Sequence, residues 1–148
     1  MTLPLLRNSK APAQAVAREL LEVTRKAYMA RDCEAFAKHV QLPNLIETSN
    51  GETTMIDHAA LVCLFDEMCA TFDALGVVDL PRRSTSASFV DAHTIETHYV
   101  TRHVLSDATF GAEVTGVGII RFNGDRWLVA EHHYTTPSAP VLRALAPK

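Results

Sequence analysis

Seven histidines are the main chemical resource of this 148-residue chain: His39, His58, His93, His98, His103, His132 and His133. Imidazole titrates near neutrality, so it can move a proton, hold a metal or orient a ligand. A metal needs closely spaced ligands on one face. No HxH or HExxH occurs, and the adjacent His132 and His133 point to opposite faces of any strand that carries them. A metal site is not expected. No glycine-rich phosphate loop and no nucleophile elbow is present, so no cofactor is expected either.

Proton transfer needs a base, a group that fixes its tautomer, and a donor to the oxygen that gains charge. Hairpin lengths decide which residues could meet. With Ala92-His93 and Asn123-Gly124 as two-residue turns and Ser106 to Thr109 as a four-residue loop, His103 faces Ala112 and Tyr99 faces Gly116. Thr101 then faces Val114, which faces His133, and Gly116 faces Glu131. Gly118 pairs with Val129 and Ile120 with Trp127, and Ser84, Ser86 and Ser88 join that face. The expected catalytic group is His133 or His103 as base, Glu131 as its orienting carboxylate and Tyr99 as hydrogen-bond donor. Trp127, Val114, Thr101 and, from a helix, Tyr28 are the expected ligand-binding residues. Glycines let a sheet bend and small residues leave room, so this face is taken as the concave one. The opposite face carries Phe89, His98, Arg102, Val117, Ile119, Leu128 and His132, with Arg102 opposite Glu113. Its apolar middle and charged rim suit a homodimer interface. A histidine and a glutamate on a half-buried strand also fit a plain hydrogen-bonded pair. A catalytic and a non-catalytic pocket therefore both remain open.

Periodicity supplies the elements that would carry these groups. Val16, Leu20, Val23 and Ala27 recur at helical spacing and predict a helix over 13–30. Asp32 can cap a short helix from Cys33 to Val40, stopped by Leu42-Pro43. Asn50-Gly51 between Leu45–Ser49 and Thr53–Ile56 signals a hairpin. Asp57 caps a longer helix ended by Gly76. After Pro81 the pattern alternates, giving strands Thr85–Asp91, Thr94–Leu105, Phe110–Phe122 and Arg126–Tyr134. Helices followed by an antiparallel meander make an α+β domain, with helices on a strongly curved antiparallel sheet around an internal pocket. One domain spans 1–148, with a loose arm over 1–12 and a tail over 137–148.

Composition narrows the partners. Hydrophobic residues make up 47% and charged residues 21%, with net charge -3, and the densest basic spot, Arg82-Arg83, is too small for a nucleic-acid face. No run approaches the length of a membrane span. Cys33, Cys63 and Cys69 form no CxxC pair, and the odd count fits reduced thiols in a cytoplasmic protein. The expected partners are a small apolar or aromatic molecule and a second copy of the chain.

Three segments carry a family resemblance: Tyr28-Met29-Ala30-Arg31-Asp32-Cys33-Glu34-Ala35-Phe36, Gly51 with Ile56-Asp57-His58-Ala59-Ala60-Leu61, and Asn123-Gly124-Asp125-Arg126-Trp127-Leu128-Val129. They resemble helix junction, hairpin and final-hairpin segments of the nuclear transport factor 2-like superfamily, in its SnoaL-like branch. The resemblance covers residues 13 to 135. It implies a cystatin-like α+β cone, a conical pocket and a dimer. The superfamily holds isomerases, dehydratases, cyclases and non-enzymes, so the resemblance alone assigns no activity.

Overall fold

The structure is a computed structural model that describes residues 4–47, 51–111 and 113–134. Its helices are α1 (Ala13–Met29), α2 (Cys33–Ala37) and α3 (His58–Leu75). Its strands are β1 (Val40–Glu47), β2 (Thr53–Ile56), β3 (Val77–Asp79), β4 (Arg82–Asp91), β5 (Thr94–Thr101), β6 (Val104–Leu105), β7 (Val114–Phe122) and β8 (Trp127–Tyr134). Six strands form one mixed sheet in the order β2-β1-β8-β7-β5-β4, and β3 pairs with β6 beside it.

Local chemistry sets the helix ends. The Asp32 carboxylate accepts from the Ala35 N–H at 3.0 Å, and the Asp57 carboxylate from the Ala60 N–H at 2.9 Å. Each satisfies one orphan donor of a helix start. Gly76 ends α3 at φ +73, a left-handed conformation that glycine adopts without steric cost. The predicted α2 runs too far. It stops at Ala37, and Val40 instead opens β1, which continues through Pro43. Pro43 lies between Val40 and Leu45, where the β1 register shifts, so its missing N–H interrupts no regular ladder there.

The helices bury their stripes against the sheet in two clusters. One joins Tyr28, Phe36, Phe65 and Phe72 from all three helices. The other joins Val16 and Leu20 of α1 to Ile95, Ile120 and Trp127 of the sheet. The segment before α1 is packed rather than loose. Ala11 is fully buried, Leu5 and Leu6 lie against the second cluster, and the Trp127 indole donates to the Asn8 carbonyl at 2.9 Å. The tail from Pro137, together with Ser49, Asn50 and Ala112, lies outside the described residues.

The expected all-antiparallel sheet is corrected in one pairing, since β1 runs parallel to β8. The order of the strands explains it: β8 pairs on one side with its hairpin partner β7 and on the other with β1, which enters directly from α2. Two strands also break early. Val104–Leu105 leaves the long expected strand to pair with β3, and Phe110 makes only an isolated bridge to Val104.

Register decides which residues face inward. The β5–β7 pairing follows the four-residue loop: Tyr99 faces Gly116 and Thr101 faces Val114. The β7–β8 pairing departs from expectation twice. The connection is longer than two residues, so Phe122 pairs with Trp127 and Ile120 with Val129. Then Ile119 pairs with Glu131, which leaves Ala130 as an extra residue, a β-bulge. Beyond Ala130 the faces exchange, so Gly118 faces His132 and Val117 faces His133. On β4 a shift between Phe89 and Asp91 sets Phe89 opposite Ile95 and Ser86 opposite His98, and a second, between Ser84 and Ser86, sets Ser84 opposite Tyr99. Ser86 and Ser88 therefore leave the inner face. Phe89 joins it, its ring 6.1 Å from that of Trp127, and is not part of the outer patch with Val117 and Ile119.

Candidate functional site

The concave face of the sheet, covered by α1 and α3, lines a partly open cavity of about 210 Å³. Most of its wall is apolar. The polar groups on it include His132, Asn44, Tyr99, His103, Arg82, the hydroxyls of Thr24, Thr101 and Tyr28 and, from the exposed side of α3, Glu67.

Tyr99, His103, Thr101, Val114 and Tyr28 line the cavity, on the face where the sequence puts them. Glu131, His133 and Trp127 do not. The Ala130 bulge turns Glu131 and His133 to the outer face, where the His133 ring lies 2.9 Å from Glu131 and 3.1 Å from Glu47. Arg121 donates to Glu131 there at 2.6 Å. Burial alone would lower the His133 pKa, but its two carboxylate neighbours outweigh burial and raise it. Burial would raise Glu131, yet the hydrogen bonds from Arg121 and His133 leave it below the usual carboxylate value. These four residues form a charged row on the convex surface, with no contact to the cavity. Trp127 is fully buried in the second cluster, 5.3 Å from the Phe122 ring, and is core rather than lining.

His132, expected outside, is the histidine the bulge delivers to the cavity. Its tautomer follows from Asn44. The Asn44 amide nitrogen donates to the Val129 carbonyl at 3.0 Å and to the Gln41 carbonyl at 3.3 Å. Both carbonyls only accept, so the Asn44 Oδ1 is the end presented to His132 Nδ1, at 3.3 Å. An amide oxygen also only accepts, so Nδ1 carries the proton and Nε2 is the basic nitrogen. Asn44 is 1% exposed, which fixes this arrangement inside the protein. Burial depresses the His132 pKa to about 4, and the charges of Arg82 and His133 push the same way. At neutral pH the ring is therefore a neutral imidazole.

Tyr99 crosses the two glycines that appeared to leave room. A Cβ at Gly116 would stand 2.9 Å from the Tyr99 hydroxyl oxygen, and one at Gly118 would stand 3.3 Å from Thr97 Cγ2. Gly116 leaves the space in which the Tyr99 ring lies against β7, whereas the tight neighbour of Gly118 is Thr97. Tyr28 stacks on Phe65 at 4.9 Å and donates to the Met68 sulfur at 3.1 Å. Burial raises its pKa far above the ordinary phenol value, so it stays protonated. His103 sits in the loop after β5, 4% exposed, its ring 6.1 Å from that of Phe72.

Two residues of the site were not legible from sequence. Asn44 reads as an ordinary strand residue beside Pro43. Arg82 reads as half of a surface basic spot, Arg82-Arg83. The available signal was parity: with Arg83 exposed, Arg82 must point the other way. Among the described residues no cluster of histidine, cysteine or acidic side chains could hold a metal ion. No described helix is long and apolar enough to cross a membrane.

No protein-family model matches the sequence, and no curated protein resembles it closely enough to be called a relative. Solved structures do match. A cystatin-like domain of unknown function from Nostoc punctiforme aligns with TM-score 0.65 at 15% identity, over 83% of this chain and 76% of that one. An NTF-2 like protein of unknown function from Shewanella oneidensis aligns with TM-score 0.59 at 12% identity, over 82% and 97%. The chain has the nuclear transport factor 2-like fold. A ketosteroid isomerase-like protein from Erwinia carotovora shares this nuclear transport factor 2-like cone, with TM-score 0.60 at 12% identity, over 84% of this chain and 96% of that one. At these identities the likeness is one of fold.

Proposed function

We propose that this chain binds a small, largely apolar carbonyl or hydroxyl compound and moves a proton on it without a cofactor, with His132 as the base. The carrying observation is His132, its proton held on Nδ1 by Asn44, on the wall of a largely apolar cavity. Nε2 would take a proton from a carbon beside a carbonyl. The electron pair left on that carbon would move onto the carbonyl oxygen as an enolate. The Arg82 guanidinium, on the same cavity wall, is the donor to that oxygen. The imidazolium would then return its proton, to another carbon in an isomerisation or to a leaving hydroxyl in a dehydration. Apolar walls support this scheme, because they exclude water and strengthen each polar contact inside.

On this reading the chain belongs with the SnoaL-like, proton-transferring branch of the fold. The ketosteroid isomerase-like neighbour bears a name from the same class of chemistry. The free thiols Cys33, Cys63 and Cys69 favour a reducing, cytoplasmic setting. For assembly we propose a second copy on the outer sheet face, around Val117 and Ile119. Sedimentation giving a monomer at micromolar concentration overturns that assembly.

The test of the chemistry is solvent exchange. Small cyclic and aryl ketones are incubated with the protein in deuterated buffer, and loss of the proton beside the carbonyl is followed by NMR. Protein-dependent exchange that disappears in His132→Gln supports the base assignment. Exchange that persists in that variant, or is absent with every ketone, leaves a non-catalytic binding pocket as the better reading.

A further inference from the structure

Arg82 stands apart from the paired arginines of the fold. Arg7, Arg25, Arg31, Arg102, Arg121 and Arg126 each pair with a carboxylate within ion-pair distance. Arg82 lines the cavity, and among the described residues its hydrogen-bond partners are neutral. Its terminal nitrogen donates to the Thr24 hydroxyl at 2.6 Å and its Nε to the Thr101 hydroxyl at 3.3 Å. Its guanidinium carbon lies 5.4 Å from the centre of the Tyr99 ring. Glu67 is the sole carboxylate-bearing residue of the cavity wall, and it is exposed on α3 and makes no ion pair with Arg82 among the described residues. The residues outside the description contain no aspartate or glutamate.

The supports hold the guanidinium in a set orientation. Thr24 is 4% exposed and gives its own hydroxyl proton to the Leu20 carbonyl at 2.7 Å. Its oxygen lone pair is thereby turned toward Arg82. Thr101, 9% exposed, accepts from the neighbouring edge. A positive charge facing an apolar cavity is unfavourable unless an anion meets it. A planar guanidinium matches a carboxylate through two parallel hydrogen bonds. One guanidinium balances one negative charge, whereas a phosphate dianion would carry excess charge into the same apolar space.

We propose that the cavity takes a small carboxylate with an apolar body, and that Arg82, held by Thr24 and Thr101, is its anion clamp. The clamp rests on the proposed proton transfer only for what happens after binding. It also supplies a link between binding and chemistry. The Arg82 charge is one of the causes that depress the proton affinity of His132. A carboxylate seated on Arg82 cancels that charge, so the base strengthens when the cavity fills. His133 and its partners Glu47 and Glu131 lie on the outer face of the sheet, away from the cavity and its ligand.

The probes are phenylacetate and its neutral isostere phenylacetamide, with binding read by calorimetry and the His132 ring by NMR. Phenylacetate should bind the wild-type protein about tenfold or more tightly than the amide, as a charge-assisted bidentate pair does over a neutral contact. It should also raise the His132 pKa, while the amide should not. Arg82→Gln should make the two probes equal. His132→Gln should keep the preference even if the proton-transfer reading fails, which separates the two ideas. If Arg82→Gln does not fold by circular dichroism, Thr24→Val serves: it removes one support, and the preference should shrink with amide binding unchanged. Equal binding of both probes by the wild type, binding of neither, or a preference that survives Arg82→Gln overturns the clamp.

Discussion

Acid should destabilise this protein chiefly through His132, with His39, whose pKa burial also lowers, acting in the same sense. The folded pKa of His132 is about 4 against an ordinary 6.5, because burial, followed by the charges of Arg82 and His133, disfavours the imidazolium. Once unfolded, the chain binds the proton more tightly, so stability is full above about pH 6.5 and falls as pH drops toward the folded value. The full penalty is about 3 kcal/mol, at about 1.4 kcal/mol per tenfold in proton affinity. At about pH 4.5 the same linkage gives a loss of about 2.5 kcal/mol relative to neutrality. Glu22 and Glu131, both lowered, lose their contributions mainly below the ordinary carboxylate value of 4.5. His133, whose pKa is raised, works in the opposite sense. The comparison of wild type with His132→Gln therefore isolates the residue. Glutamine can still donate to Asn44 and does not titrate. Trp127, the only tryptophan and fully buried, reports unfolding in urea by its fluorescence. The variant should lose less stability than wild type between neutrality and about pH 4.5, by about 2 kcal/mol. An identical acid loss in both proteins, or an NMR titration placing His132 near 6.5, refutes the buried neutral base.

Three further outcomes follow from the same geometry. Gly116→Ala should cost about 1–3 kcal/mol, since its Cβ would meet the Tyr99 hydroxyl oxygen at 2.9 Å, while Gly118→Ala, at 3.3 Å from Thr97 Cγ2, should cost less; thermal melts giving the reverse order contradict this packing. Asn44→Ala should cost about 2–4 kcal/mol in denaturant unfolding, because the buried Val129 and Gln41 carbonyls and the His132 ring lose a partner, and a loss below about 1 kcal/mol would show that Asn44 does not hold the site. His133→Ala should cost less than about 1 kcal/mol, as expected of a partly exposed ion pair. Its contribution is present below the ordinary histidine value of 6.5 and disappears as pH rises through the raised folded value, so the wild type and the variant should converge in alkali.

Much of the architecture is local and was legible in the sequence. Asp32, Asp57 and Gly76 cap or close helices through contacts with their own neighbours, so a one-dimensional reading finds them. The Ala92-His93 turn sets Asp91 opposite Thr94, and the four-residue loop before Phe110 sets Tyr99 opposite Gly116, by counting alone. The face of every residue in β8 was another matter. Alternation is reliable only while each strand residue has one partner, and Ala130 has none across β7. That bulge sits where β8 meets β1, a strand about 85 residues earlier, at the point where Asn44 bonds the Val129 carbonyl. No local signal marks it, since alanine is not a bulge residue by preference, and the parallel pairing that accompanies it is a contact between distant segments. One extra residue therefore exchanged His133 for His132 in the cavity. Arg82 became a cavity residue for a similar reason: α1 supplies the Thr24 hydroxyl that receives it, and only packing of that helix on β4 brings the two together. Composition and periodicity determine which elements form and which way they turn, while the identity of the cavity groups depends on strand register, which long-range pairing alone decides.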